Sequence, residues 1–213
     1  MAQLFPSAIR AQFKDLLALL EALPSDQAGI RINAMPALQP YLAPDGPIGV
    51  IASQCLGRSA MAVRTILFDK TAETNWSLAW HQDRTICVQE RVEVEGFGPW
   101  SIKAGQHHVA PPFDLLSRMV TLRVHLDDVP ATNAPLLIAP GSHKLGKVPA
   151  NKADAIAARC GTVTCLASAG DVWAYATPIL HASEAAKLPL RRRVLQIDYS
   201  ADSLPGGLAW LKG

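Results

Sequence analysis

The chain of 213 residues carries little charge, few cysteines and no long apolar run. Charged residues make up 18% of the chain and hydrophobic residues 49%, a balance that excludes a disordered protein or a coiled coil. The formal net charge is only +2, and the single dense basic run, Arg191 to Arg193, is too short to bind nucleic acid. No stretch reaches the roughly 20 apolar residues of a membrane-spanning helix. The composition therefore predicts a globular protein that binds neither nucleic acid nor membranes.

The four cysteines lack the spacing of a metal or redox motif. Cys55, Cys87, Cys160 and Cys165 form no C-x-x-C pair, which excludes zinc-knuckle and thioredoxin-like sites. Charged residues interrupt the N-terminal segment where a signal peptide would be apolar. We therefore predict a cytoplasmic protein whose cysteines are reduced and serve in packing.

Two helices are predicted in a single domain that spans residues 1–213, and the segment 58–68 is either a short helix followed by a strand or one strand. Apolar residues recur at three- and four-residue spacing over 6–23, which is typical of an amphipathic helix. Four prolines disfavour a helix between residues 30 and 48. A second helix is expected at 152–159.

Most of the remaining chain consists of short β-branched segments that are separated by turn residues. Strands are predicted at 64–69, 76–81, 86–94, 118–126, 135–139, 162–167, 171–175, 179–182 and 192–199. No helices alternate with these strands, which excludes a doubly wound α/β sheet. The pattern predicts a mainly β, cupin-like jelly roll, with its barrel at about 48–200, an N-terminal helix and a few flanking helices.

Two H-x-D patterns can each supply a pair of metal ligands. Ferrous iron in oxygenases is commonly held by two imidazoles and one carboxylate on one face, with the other face open. Residues i and i+2 of a strand point to the same side, which suits His81 with Asp83 or His125 with Asp127. Strand counting favours His81 and Asp83, because the strands between them and a third ligand at His181 suffice to go round a barrel. The alternative for His181 is an ordinary buried histidine in an apolar strand.

Arg192 and Arg193 begin the last predicted strand and face opposite ways, since side chains alternate along a strand. We expect one of them to point inward. A buried guanidinium needs an anion, and its planar fork suits a carboxylate. That partner is either the distal carboxylate of 2-oxoglutarate or an acidic side chain of the protein.

Several segments together resemble the phytanoyl-CoA dioxygenase family. They are His81-Gln82-Asp83, the run NAPLLIAPGSHK from Asn133 to Lys144, Gly170-Asp171, His181-Ala182-Ser183 and Arg192. Their order and spacing match the family over most of the chain. The resemblance implies a double-stranded β-helix fold, the cofactors Fe(II), 2-oxoglutarate and O2, and iron ligands at His81, Asp83 and His181.

The resemblance also assigns residues to the co-substrate pocket. It implies that Arg192 binds the distal carboxylate of 2-oxoglutarate, with the hydroxyl of Ser183 nearby. It further implies that Lys70 and Gln82 line the pocket. Arg123 stands where relatives commonly carry an aromatic residue, and it either adds an anion contact or turns outward. Whether Arg123 or Arg192 is the main anchor stays open.

Other residues near these motifs are expected to have secondary roles. Ala134 replaces the family's usual glycine, so a left-handed turn is less favourable there. His143, in the PGSH turn, is predicted to be structural. His107 and His108 are expected in a loop near the pocket mouth, where they either contact substrate or are solvated.

The implied reaction is hydroxylation of a small-molecule C–H bond. Asp83 fills the position that related halogenases leave free for chloride, which favours hydroxylation over halogenation. The alternatives are a metal-dependent cupin enzyme that does not use 2-oxoglutarate and a non-catalytic jelly-roll binding module. Lysines and arginines near the predicted mouth mildly favour an anionic substrate. The sequence leaves open the identity of the substrate, the use of an acyl-CoA and the oligomeric state.

Overall fold

Strands dominate the protein, for which a computed structural model describes residues 1–24, 27–33 and 35–211. The strands are β1 (Ala2–Phe5), β2 (Gly29–Arg31), β3 (Met61–Lys70), β4 (Leu78–His81), β5 (Ile86–Val88), β6 (Trp100–Lys103), β7 (Gln106–Val109), β8 (Val120–His125), β9 (Leu136–Ile138), β10 (Val163–Cys165), β11 (Val172–Ala176), β12 (His181–Ser183) and β13 (Arg192–Ser200). The helices are α1 (Phe13–Glu21), α2 (Gln39–Leu42), α3 (Gly49–Leu56), α4 (Phe113–Ser117) and α5 (Ala153–Cys160). Short 3-10 turns occur at Pro36–Leu38, Ser142–Lys144 and Ala150–Lys152.

The described strands form three antiparallel sheets. A six-stranded major sheet has the order β1-β11-β8-β13-β3-β2, and a four-stranded minor sheet has the order β10-β9-β12-β4. A third sheet, β5-β7-β6, completes the structure. The mainly β, jelly-roll class predicted from the strand pattern is confirmed, and a cavity lined by both larger sheets lies between them.

Strand β13 lies in the middle of the major sheet and is buried at every residue. It pairs with β3 on one side and with β8 on the other. Leu195, Ile197 and Tyr199 pack on one face in a core with residues of α1, α2 and α3. Because side chains alternate along a strand, Arg192 and Gln196 lie on the opposite face, which lines the cavity.

The N-terminal region differs from the prediction in where its helices begin. Helix α1 starts at Phe13 rather than at residue 6, because Ala2–Phe5 joins the edge of the major sheet beside β11. Two short helical segments form at 36–42 despite the prolines there. Pro36 and Pro40 occupy first-turn positions, where a missing N–H breaks no hydrogen bond.

Two observations bear on the class of protein. All four cysteines are free thiols. In the described part of the chain, no helix combines the length and the apolar character needed to cross a bilayer.

Candidate functional site

Three potential metal ligands converge in the cavity between the two larger sheets. One ligand atom from each of His81, Asp83 and His181 lies within 4.8 Å of the other two. Pairing of β4 with β12 places His81 directly opposite His181, with the ring centroids 4.2 Å apart. Asp83 follows His81 by two residues and therefore reaches the same side. The described residues contain no other such group of three.

Backbone hydrogen bonds orient both imidazoles. Nδ1 of His81 lies 2.8 Å from the carbonyl of Ala79, and Nδ1 of His181 lies 2.9 Å from the carbonyl of Ile179. A carbonyl only accepts, so Nδ1 carries the proton in both rings. The lone pair of each Nε2 is therefore free to bind a metal.

The charge states also suit metal binding. Burial lowers the pKa of His181 to about 4, and the charge of Asp83 offsets this only in part. Burial opposes ionisation of Asp83, but Arg64 and the two histidines outweigh it and lower its pKa to about 2. At neutral pH the carboxylate is charged and His181 is neutral, which are the forms that bind metals. The residues present therefore fit a divalent ion whose remaining coordination positions stay open.

Arg64 holds the carboxylate of Asp83 from behind. Its Nη2 lies 3.0 Å from Asp83, and its Nε lies 2.6 Å from the buried carboxylate of Asp198. The hydroxyl of Thr121 donates a hydrogen bond of 2.8 Å to Asp198. This buried network fixes the direction of Asp83, and the sequence analysis did not identify it.

The cavity around these ligands has a volume of about 250 Å³ and a strongly cationic lining. One carboxylate, Asp83, lines it among the described residues. The six cationic side chains in the lining are those of Arg31, Arg64, Lys70, Lys103, Arg123 and Arg192. Six of the chain's 20 lysines and arginines therefore line one cavity that holds a single carboxylate, although the whole chain has a formal net charge of only +2.

Three of these cations, Lys70, Arg123 and Arg192, form one end of the cavity, which we call the Arg192 end. All three residues are buried. Burial, followed by the charges of the two arginines, lowers the pKa of Lys70 to about 8. Burial and the charge of Arg123 lower the pKa of Arg192 to about 9. Such mutual repulsion favours the binding of an anion among them.

Hydrogen bonds position these cations without neutralising them. Lys70 Nζ donates to the carbonyl of Trp76 and, over 3.3 Å, to the hydroxyl of Ser183. Arg192 Nη1 donates to the carbonyl of Ala134, and its Nε has no partner. Within the described ranges, no carboxylate lies at ion-pair distance from Lys70, Arg123 or Arg192.

The structure decides between the two arginines at the start of β13. Arg193 points away from the cavity and forms ion pairs with Asp127 at 2.6 Å and Glu21 at 3.0 Å. Arg192 points inward. Asp127 is therefore engaged by Arg193, and the second H-x-D pattern supplies no member of the ligand cluster described above.

Arg123 also points inward, where its Nη1 donates a hydrogen bond of 2.6 Å to Gln196 and its guanidinium carbon lies 5.6 Å from the centre of the Phe68 ring. Of the two sequence-based alternatives, the inward orientation is therefore the one observed. Ala134 does adopt a left-handed conformation, with φ of +49°, although it lacks glycine's freedom.

Gln82 does not line the cavity, which corrects its assignment to the co-substrate pocket. Its side-chain amide donates to the carbonyls of Gly146 and Pro178 and accepts from the backbone N–H of Val148. Because Gln82 lies between His81 and Asp83, alternation turns it away from the metal ligands. It holds the neighbouring loops instead.

His107 and His108 lie in strand β7 rather than in the predicted loop. His108 is fully buried, with its Nε2 3.4 Å from the sulfur of Cys87. Neither histidine lines the cavity. His143 lies outside the cavity as well, with its Nε2 2.7 Å from the α-amino group of Met1.

Comparison with known proteins gives a family. The family model for phytanoyl-CoA dioxygenase (PhyH) matches residues 48–194. No curated protein matches the sequence.

Solved structures share the fold at low sequence identity. EctD from S. alaskensis in its apo form is 19% identical, with a TM-score of 0.64 over 94% of this chain and 72% of that one. The epimerase SnoN, in complex with Fe3+, alpha ketoglutarate and nogalamycin RO, is 16% identical, with a TM-score of 0.65 over 97% and 86%. HygX from Streptomyces hygroscopicus, with nickel and 2-oxoglutarate bound, is 16% identical, with a TM-score of 0.61 over 93% and 82%.

Proposed function

The chain belongs to the phytanoyl-CoA dioxygenase family and is an Fe(II)- and 2-oxoglutarate-dependent oxygenase, and we propose that it hydroxylates a C–H bond of a small molecule. One observation carries the proposal. Ligand atoms of His81 in β4, of Asp83 just after β4 and of His181 in β12 lie within 4.8 Å of one another. They offer two imidazoles and one ionised carboxylate. This donor set is the one that suits ferrous iron with positions left for co-substrate and O2.

His81, Asp83 and His181 are the proposed iron ligands. Iron held there, with 2-oxoglutarate and O2, would supply the oxidising power for the C–H bond. The protein's own part is to fix the ligands. The carbonyls of Ala79 and Ile179 hold the two rings, and Arg64 holds Asp83.

The Arg192 end is the proposed seat of the distal carboxylate of 2-oxoglutarate. Lys70, Arg123 and Arg192 have no carboxylate partner within the described chain, and Ser183 adds a hydroxyl beside Lys70. A guanidinium binds a carboxylate through two parallel hydrogen bonds. Arg192 is the proposed anchor, and Arg123 beside it is the alternative anchor. Each has a buried Nε without a partner and an Nη1 that donates to one protein oxygen, of Ala134 for Arg192 and of Gln196 for Arg123.

Hydroxylation is proposed over halogenation because the carboxylate of Asp83 occupies the third proposed ligand position and leaves no room there for chloride. SnoN, a solved structure of similar fold, is described as an epimerase. Product analysis by mass spectrometry separates the two reactions, because hydroxylation adds one oxygen atom and epimerisation leaves the mass unchanged.

The first experiment is a screen for succinate release with Fe(II) and 2-oxoglutarate across acyl-CoAs, amino acids and small metabolites. We expect His81→Ala and Asp83→Ala to reduce succinate formation and iron binding to background while the circular dichroism spectrum is unchanged. His107→Ala is the matched control, since this histidine lies outside the cavity. Full activity in either ligand variant would contradict the assignment.

We also propose the class of substrate and the cellular compartment of the protein. The proposed partner is a small molecule, because the proposed metal ligands lie in a cavity of only about 250 Å³ between the two larger sheets. Free thiols at all four cysteines are consistent with the reducing environment of the cytoplasm. A metal-dependent cupin enzyme that ignores 2-oxoglutarate would show no 2-oxoglutarate binding in the presence of metal.

A further inference from the structure

Two cations of the cavity, Arg31 and Lys103, lie apart from the Arg192 end. Arg31 ends strand β2 and pairs with Ile66 of β3, four residues from Lys70 along that strand. At about 3.3 Å per residue, this separates the backbone positions by roughly 13 Å. In this register Arg31 lies two residues from Arg64 and four from Lys70, measured along the neighbouring strand β3.

Lys103 reaches the cavity from the third sheet. It ends β6 and is followed by a two-residue hairpin turn in which Ala104 and Gly105 both have positive φ, +49° and +74°. The register pairs Ser101 with His108 and Lys103 with Gln106, so Lys103 and His108 share one face of the sheet. The hairpin thus projects Lys103 over the cavity.

The charges of Arg31 and Lys103 both affect the buried side chains of His108 and Cys87. Burial, followed by the charges of Lys103, Arg64 and Arg31, lowers the pKa of His108 to about 4. Burial raises the pKa of Cys87, and the charges of the same three cations act in the opposite direction. Both cations line the cavity, and the register places Arg31 two residues from Arg64 along the neighbouring strand.

Neither of the two is neutralised by the protein. Within the described ranges, no carboxylate lies at ion-pair distance from Arg31 or Lys103. Nε of Arg31 is buried and has no hydrogen-bond partner. Arg64 differs, because Asp83 and Asp198 compensate it.

The charge of the loaded cavity, and with it the inference below, rests on the proposed function. A ferrous ion and a 2-oxoglutarate dianion cancel each other, so loading the cofactors leaves the excess positive charge of the lining in place. We propose that Arg31 and Lys103 form an anion-binding subsite, separate from the Arg192 end, that holds a carboxylate or phosphate group of the substrate.

The test uses protein loaded with Fe(II) and saturating 2-oxoglutarate under anaerobic conditions, so that the Arg192 end is filled. Isothermal titration calorimetry compares four probes with the same alkyl chain: hexanoate, hexyl phosphate, 1-hexanol and hexylamine. We expect at least one anionic probe to bind, and the alcohol and the amine to bind at least about tenfold more weakly.

Variants then locate the subsite. Arg31→Gln and Lys103→Gln should each weaken binding of the anionic probe about tenfold, while Arg31→Lys should retain part of it. Arg159→Gln is the matched control, because Arg159 is exposed on α5 and outside the cavity. The affinity for 2-oxoglutarate should stay within about twofold in all four variants.

The outcomes separate the subsite from the proposed function. The subsite is refuted if the alcohol binds as tightly as the anions or if no anion binds. It is also refuted if Arg159→Gln weakens binding of the anionic probe as much as Arg31→Gln does. Loss of 2-oxoglutarate affinity in Arg31→Gln would also refute it, by placing Arg31 at the Arg192 end. Absence of 2-oxoglutarate binding in the unaltered protein would count against the proposed function instead.

Discussion

Arg64 is the residue on which the geometry of the proposed metal site most depends. Its guanidinium is buried between Asp83 and Asp198, and the charges of both carboxylates raise its pKa against the opposing effect of burial. A buried ion pair contributes little compared with a well-packed apolar core, but removal of one partner leaves a charge that is neither solvated nor paired. Removal of Arg64 would leave the two carboxylates of Asp83 and Asp198 without this cation.

We therefore expect Arg64→Met to lower the free energy of unfolding by about 3–5 kcal/mol and to weaken metal binding by about 10- to 100-fold. Chemical denaturation and metal titration measure the two effects. The control is Arg118→Met, which removes a partly exposed arginine from Asp114 and Asp202 and should cost at most about 1 kcal/mol. Equal losses in both variants would contradict a special role for Arg64.

Lys70 gives co-substrate binding a dependence on pH. Its pKa of about 8 means that it is charged at pH 7 and loses its proton as the pH rises through 8. Binding of a dianion favours the charged form, so above pH 8 the protein must take up a proton to bind. We expect the Kd for 2-oxoglutarate, measured with Mn(II), to rise by up to about tenfold per pH unit above 8.

In Lys70→Met the affinity should be lower at pH 7 and the rise above pH 8 should disappear. Lys152→Met, which alters an exposed lysine outside the cavity, should keep the rise. An unchanged pH profile in Lys70→Met would show that another group titrates.

The lowered pKa of Lys70 also makes the stability of the fold depend on pH. Since the unfolded chain holds this proton up to about pH 10.5, the contribution of Lys70 to stability increases between pH 8 and 10.5.

At the scale of elements, the sequence predicted the long central strands of the major sheet better than the short segments that also shape the cavity. Strands β3, β8 and β13 were found because long runs of β-branched residues mark strands that are buried on both faces. Strand β2 was missed because three residues, Gly29–Arg31, are too few to show a periodic pattern. Helix α3 was missed because its apolar residues form no clear stripe.

The site shows the same division. The convergence of His81, Asp83 and His181 could be predicted because two imidazoles and one carboxylate at this spacing are typical of an iron site. For Arg192 the alternation of side chains left the choice from Arg193 open, and only the family resemblance favoured it. Gln82 was misassigned because its partners lie in loops more than 60 residues away, which no local pattern reveals. Arg31 and Lys103 were missed because β2 and the β6–β7 hairpin were not predicted, so nothing placed these two residues near the ligands.

The packing of α3 against the chain before it depends on one glycine. A Cβ added at Gly49 would lie 1.9 Å from the carbonyl oxygen of Ala43, a backbone atom that cannot turn aside. We expect Gly49→Ala to lower the free energy of unfolding by about 3 kcal/mol or more, measured by chemical denaturation.

Gly57→Ala is the control at the other end of α3. Gly57 has φ of +70° and open space around it, so alanine there costs only the strain of the left-handed conformation, about 1–2 kcal/mol. A smaller loss at Gly49 than at Gly57 would contradict the close approach of the two backbone segments.

For the whole molecule, ligand binding should appear as thermal stability. A ligand that binds only the folded state, at about 100 times its Kd, stabilises by about 2.7 kcal/mol. In a protein of this length that raises Tm by roughly 5–10 °C. We expect this shift with Mn(II) and 2-oxoglutarate together, measured by differential scanning fluorimetry.

Omitting 2-oxoglutarate or adding EDTA should abolish most of the shift, because the two ligands are proposed to occupy one site. His181→Ala should abolish it too, since the proposed metal site then lacks one of its three donors. A full shift with 2-oxoglutarate and EDTA would mean that the anion binds elsewhere than beside the metal.

The third sheet shares no ladder with the two larger sheets in the described part of the chain. An isolated bridge between Val88 and Trp210, together with backbone hydrogen bonds from Gln89 to Ala209 and from Leu211 to Cys87, links the β5 segment to the C-terminal segment. At the tip of the β6–β7 hairpin residues 101–105 are exposed, whereas Val109 at its base is buried in a core with Val63 of β3. The tip, rather than the whole hairpin, thus offers protein engineers a modular cassette for retargeting the enzyme.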